Sequence, residues 1–108
     1  MTAKNIKKRL LIIDDEANMR HMLSTVLKKA DYHVETVADG SQGLEMIQQS
    51  QYDFILCDIK MPKMDGMEFL KCSRDRRGAA TVIMMSAYGS IDTAIEAMKS
   101  GAYDYISK

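Results

Sequence analysis

The sequence predicts an α/β domain in which helices wind over both faces of one parallel sheet. Three observations point there. Short apolar runs of mainly branched or aromatic residues occur as Leu10-Leu11-Ile12-Ile13, Phe54-Ile55-Leu56-Cys57 and Val82-Ile83-Met84-Met85. They are too short for buried helices and read as strands covered on both sides. Between them lie stretches whose apolar residues recur at helical spacing. The two kinds alternate, as in successive βα units with right-handed crossovers.

After the first run, Met19, Met22, Leu23, Val26, Leu27 and Ala30 mark the first helix and its apolar stripe. His33 to Val37 is a weaker second strand, and Asp39-Gly40 reads as a turn. Gly43, Leu44 and Ile47 mark the second helix, followed by the strand from Phe54. Met67, Phe69 and Leu70 mark a third helix, which Arg77-Gly78 separates from the fourth strand. Ile91, Ala94, Ile95 and Met98 form the stripe of a fourth helix, with Ser90 as N-cap, Asp92 and Lys99 complementing its dipole, and Gly101 closing it. Asp104 to Ile106 is the last strand. This length and alternation suit the flavodoxin-like order 2-1-3-4-5. The expected organisation is one domain over residues 1–108, without the fifth helix of such a fold because the chain stops at Lys108. An apolar patch left by that helix would favour self-association or instability.

Composition bounds the function. With 108 residues, 46% hydrophobic, 28% charged and one proline, the chain is of ordinary globular make-up and supports one core. Fifteen basic and fifteen acidic residues cancel, so no global field draws nucleic acid or an anionic membrane. No run is long enough to span a membrane and no signal peptide is visible, which gives a cytoplasmic expectation. Cys57 and Cys72 match no zinc spacing, and the ten methionines read as core filling.

In an open α/β sheet, ligands bind beyond the carboxyl ends of the strands. The residues there are Asp14, Asp15 and Glu16 after the first run, Asp58 after the third strand, Ser86 after the fourth and Lys108 after the fifth. If the central strands are neighbours, three carboxylates converge beside a hydroxyl and an ammonium. Three acids brought together need a cation. An all-oxygen site suits Mg²⁺, which keeps several waters and shares its shell with phosphate. Lys and Ser suit phosphate oxygens, and Asp can carry a phosphoryl group covalently.

These residues resemble the receiver domains of bacterial two-component response regulators, from about Arg9 to Lys108. The likeness rests on Asp14-Asp15, on Asp58-Ile59-Lys60-Met61-Pro62-Lys63-Met64-Asp65-Gly66, on Ser86-Ala87, and on Gly101-Ala102-Tyr103-Asp104-Tyr105-Ile106-Ser107-Lys108. The segment from Ala87 to Tyr103 looks more narrowly like receivers of enhancer-binding transcriptional activators. The resemblance implies that a sensor histidine kinase phosphorylates Asp58. It implies that Asp15, Asp58 and the main-chain carbonyl of Lys60 ligate Mg²⁺, and that Asp14 holds the metal through water. Ser86 would bond the phosphoryl group, Lys108 would pair with it, and Tyr105 would change rotamer with Ser86. Lys60 and Tyr88 would flank the approach of hydrolytic water. It also implies an output made of ATPase and DNA-binding domains beyond this chain, and a switch rather than an enzyme. Pro62 presets the loop after Asp58, and Gly66 is read as admitting backbone geometry closed to other residues.

Other chemistries fit less well. An aspartyl-phosphate phosphatase of the haloacid-dehalogenase type needs an acid where Lys60 stands. A flavin or nucleotide site after the first strand would be rich in Gly, Ser or Thr, whereas this loop is acidic and would repel phosphate. No Walker lysine motif occurs.

Overall fold

In the computed structural model, which describes residues 7–61, 63–87 and 91–108, the apolar runs are strands of one sheet. The elements are β1 (Arg9–Ile13), α1 (Ala17–Lys29), β2 (His33–Val37), α2 (Gly40–Gln49), β3 (Phe54–Asp58), α3 (Gly66–Cys72), β4 (Thr81–Ser86), α4 (Ile91–Lys99) and β5 (Asp104–Ser107). The order is β2-β1-β3-β4-β5, every pairing is parallel, and the predicted topology is the observed one. The order reverses between β1 and β3, so their carboxyl ends border the crevice expected of such a sheet.

Registered residues of parallel strands share a face. Leu11, Ile13, Ile55, Cys57, Val82 and Met84 therefore project to one side, where they pack with Ile47 of α2, Phe69 and Leu70 of α3, and Ala97 of α4. This is the main core. On the other side Leu10, Ile12 and Met85 are buried, and α1 lies against β1 and β2.

The predicted helix stripes are only partly buried. No residue of α1 is buried, and Met22 and Val26 are 50% and 57% exposed. Leu56 and Ile83, on the same side of the sheet, are half-buried. In α4 the stripe Ile91, Ile95 and Met98 faces outward, and Ala97 is the residue that packs inward. A small side chain lets the helix sit close to the sheet, so bulk at the predicted positions is not what docks it.

Local signals also resolve differently from the reading of sequence alone. Asp39-Gly40 is the start of α2: the Asp39 carboxylate caps the helix by accepting the Gln42 N–H at 2.9 Å. Asp65 does the same for α3 through Glu68 N–H at 2.9 Å. Gly101 closes α4 at φ 105°, as predicted. The Ser90 cap, Pro62 and Tyr88 lie outside the described residues.

Gly66 is needed for a reason other than backbone freedom. Its φ is not positive, and the left-handed residue of that loop is Lys63 at 61°. A Cβ at Gly66 would stand 2.1 Å from the Asp58 carbonyl oxygen and 2.8 Å from Ile59 Cα. Both neighbours are backbone and neither can yield. The Gly66 N–H also donates to the Ile59 carbonyl at 2.8 Å. The first turn of α3 is thus pressed against the end of β3.

Gly66→Ala is expected to destabilise the fold by at least the roughly 1–3 kcal/mol typical of overpacking. Gly78 at φ 59°, with nothing near its Cβ position, should cost only the roughly 1 kcal/mol of left-handed strain on change to Ala. Urea denaturation of the two variants checks this, and equal losses would contradict the steric reading.

Candidate functional site

The carboxyl ends of β1, β3, β4 and β5 bring together every strand-end residue singled out from the sequence. Asp14 is fully buried. Its N–H donates to the Val37 carbonyl at 3.2 Å, and its Oδ1 accepts the Glu16 N–H at 2.9 Å. Asp58 is the last residue of β3 and is buried. Pairing continues past it, since Ile59 N–H donates to the Met85 carbonyl at 2.9 Å. One carboxylate oxygen from each of Asp14, Asp15 and Asp58 lies within 4.8 Å of the others.

Lys108 answers this charge. Its main-chain N–H donates to the Ser86 carbonyl at 3.0 Å, which anchors the backbone at the end of β4. Its ammonium then reaches Asp14 Oδ2 at 2.8 Å, Asp58 Oδ2 at 3.0 Å and Glu16 Oε1 at 3.2 Å. Ser86 is buried at the end of β4, in register with Ser107. Tyr105 is on the same side of the sheet, paired with Met84 and packed on the core. Its hydroxyl is buried and has no hydrogen-bond partner among the described residues. Lys60 and Asp15 border an open depression of about 380 Å³ with Ile59, Met61 and Asp65.

The electrostatics follow from this packing. Burial pushes the Asp58 carboxyl above the usual range; Lys108 opposes the shift, and Asp14 and Asp15 add to it. Burial pulls the Lys108 ammonium down, but its contacts with Asp14, Asp58 and Glu16 outweigh that and hold it above the usual lysine value. The Cys57 thiol is driven well up by burial and by the charges of Asp58, Asp14 and Asp65, so it is inert as a nucleophile.

The trio fits a divalent cation on an observation besides its charge. Asp14 Oδ2 is buried, and among the described residues the one cation near it is the Lys108 ammonium at 2.8 Å, which Asp58 and Glu16 share. A hard cation among carboxylate oxygens would satisfy it. Two residues of the site had no assigned role in the sequence reading. Glu16 is a third partner of Lys108, and Arg20, one turn along α1, donates from Nη1 to the Asp14 carbonyl at 2.7 Å. No local spacing in the sequence signals either contact, since each depends on a partner that the fold supplies.

Residues 10–108 match the family of response regulator receiver domains. The chain belongs to the response regulator receiver family. It is 41% identical over 108 residues to the regulatory protein AtoC of Escherichia coli K12, covering 100% of this chain and 23% of that protein. It is 40% identical over 99 residues to the transcriptional regulatory protein ZraR of Klebsiella oxytoca, covering 92% of this chain and 22% of that one. The receiver thus spans under a quarter of these relatives. Its fold superposes with a TM-score of 0.90 on a Burkholderia pseudomallei response regulator crystallised with a phosphorylated aspartic acid, a calcium ion and citrate. Identity there is 26%, over 94% of this chain and 60% of that one. As a receiver domain the chain is a signalling switch.

The raised Asp58 pKa has a stability consequence. The folded state binds this proton more tightly than the unfolded chain, so stability falls as pH rises from the ordinary carboxylate pKa, about 4, through the folded value. Asp58→Asn is therefore expected to melt a few degrees higher than the parent near neutral pH, with the difference shrinking towards about pH 4. Calorimetry across that range checks it; a variant that melts lower at neutral pH would mean Lys108 more than compensates the buried charge.

Proposed function

We propose that residues 1–108 form one receiver unit in which Asp58 accepts a phosphoryl group in a Mg²⁺-dependent reaction. The observation that carries this reading is the Lys108 ammonium held 3.0 Å from the buried Asp58 carboxylate inside a ring of acids. An Asp58 oxygen would attack the phosphorus of the donor while the bond from phosphorus to its leaving group breaks. Asp15, Asp58 and the main-chain carbonyl of Lys60 would hold Mg²⁺, with Asp14 acting through water. The ion supplies charge neutralisation for the carboxylates and the phosphoryl oxygens.

The chain's own residues provide the rest. Lys108, shared among Asp14, Glu16 and Asp58, turns to a phosphoryl oxygen as that group brings new negative charge. The Ser86 hydroxyl donates a second contact. Movement of Ser86 would free space along the sheet face it shares with Tyr105, whose hydroxyl has no partner among the described residues and would be relieved by gaining one: an unmet buried donor costs about 1–3 kcal/mol. That rotation is the proposed output signal.

The donor is a sensor histidine kinase, and the output is transcriptional, in keeping with the name of the Klebsiella relative. ATPase and DNA-binding domains would lie outside this chain. The domain acts as a switch that promotes only its own phosphorylation and dephosphorylation, in the cytoplasm. No described helix is long and apolar enough to cross a membrane.

Incubation with acetyl phosphate and Mg²⁺ is expected to add one phosphoryl group by mass spectrometry, and chelator or Asp58→Asn to abolish it. Labelling of Asp58→Asn at the parent rate would overturn the assignment. Asp15→Ala should weaken Mg²⁺ binding, seen as loss of most of the Mg²⁺-dependent rise in melting temperature.

A further inference from the structure

A second concavity lies at the opposite pole, by the amino ends of β1, β3 and β4. It encloses about 680 Å³, within the range of small-molecule sites. Lys7, Lys8, Arg9, Arg76 and Arg77 line it against a single acid, Asp53. That acid is engaged, since Asp53 Oδ2 accepts the Arg9 main-chain N–H at 2.8 Å. In a chain with equal numbers of acids and bases, the lining of this concavity is thus locally basic.

Among the described residues, carboxylates pair with only two of the five. Lys7 pairs with Asp31 at 3.4 Å. Arg9 pairs with Glu35 at 3.3 Å and stacks 5.3 Å over the Tyr52 ring, while its Nε is buried without a partner. Among the described residues, Lys8, Arg76 and Arg77 are in ion-pair contact with no carboxylate. Arg77 is nevertheless fixed, because Nη1 donates to the Leu70 carbonyl at 2.6 Å and to Ser73 Oγ at 2.8 Å. Burial and the neighbouring charge of Arg74 pull its pKa below the usual arginine value, the mark of a cation lacking a counter-charge. Beyond it, Gly78 meets nothing where a Cβ would stand, so the rim is open there. Phe54, Ala79 and Ala80, none of them buried, supply an apolar wall.

We infer that this concavity binds a phosphate-bearing organic anion of about nucleotide size, with the exposed Lys8 and Arg76 as the cations that contact it and Arg9 and Arg77 adding fixed positive charge to the wall. Guanidinium groups pair with phosphate oxygens in a fork geometry. The volume is far larger than one phosphate group needs, and the apolar wall suits an organic body. The site is independent of Asp58 and of Mg²⁺.

The test is an NMR amide titration of the 108-residue chain at low salt with chelator present, which keeps metal-bridged phosphate from the acidic pole. ATP is the probe, with inorganic phosphate, citrate and a short oligonucleotide as separate arms. Saturable shifts at Arg9, Tyr52, Arg77 and Ala79 are expected with ATP, with Asp14, Asp58 and Ser86 unmoved, and with weaker binding of inorganic phosphate. Lys8→Gln/Arg76→Gln alters two exposed side chains and should preserve the spectrum of the free protein. It should weaken ATP binding about tenfold, or about 1.4 kcal/mol. Absence of saturation in the millimolar range, shifts centred on the acidic pole, or an unchanged affinity in the double variant overturns the proposal. Citrate binding as tightly as ATP overturns the phosphate assignment, and tighter binding of the oligonucleotide overturns the small-molecule one.

Discussion

The ammonium of Lys108 among the carboxylates of Asp14, Glu16 and Asp58 is the interaction on which the site depends. Buried like charges repel strongly where water is excluded, and removing one partner of such a group leaves the others uncompensated. Compensation is incomplete, because Asp58 still binds its proton more tightly than a free carboxylate does. One lysine facing several acids leaves negative charge to spare. That residue of charge is what makes a second, divalent cation electrostatically welcome, and phosphoryl transfer needs one to bring an anionic donor to an anionic acceptor.

Holding such a cluster requires a rigid frame. The parallel register places Asp14, Asp58 and Ser86 at the ends of neighbouring strands, and the hydrophobic layer beneath them contains the fully buried Ile13, Cys57 and Met84. Close packing fixes those positions to within fractions of an ångström. The contact of Gly66 with the Asp58 carbonyl ties the loop after β3 to the same frame. The Asp58 carboxylate is thus braced from below by the core and from the side by α3.

Much of this was legible in the sequence. Apolar runs of strand length gave β1, β3 and β4, and the position of Asp14, Asp15, Asp58, Ser86 and Lys108 just beyond such runs was enough to predict that they meet. Side-chain orientation on the helices was not legible. Periodicity in α4 favours Ile91, Ile95 and Met98, yet Ala97 faces the core, because the gap beside the sheet accepts a small residue better than a large one. The reason for Gly66 was also hidden: sequence suggests backbone freedom, whereas the cause is the backbone of Asp58 itself, a neighbour that only the fold brings close. Glu16 and Arg20 were missed because their roles depend on Lys108 and on the Asp14 carbonyl, contacts that no local pattern encodes.

The ammonium arrives from the edge of the sheet. β5 is four residues long, has one strand neighbour, and delivers Lys108 to a partner, Glu16, that lies 92 positions away along the chain. Edge strands with few buried side chains open at free energies below that of global unfolding. Each such opening would withdraw the lysine and leave Asp58 facing Asp14 and Asp15 alone, while β1 and β3 stay folded. The charge balance around Asp58 is therefore set by an edge strand with few buried side chains. During synthesis the same geometry leaves Asp58 without its ammonium until β5 has docked, so that the carboxylates are in place before the charge that answers them.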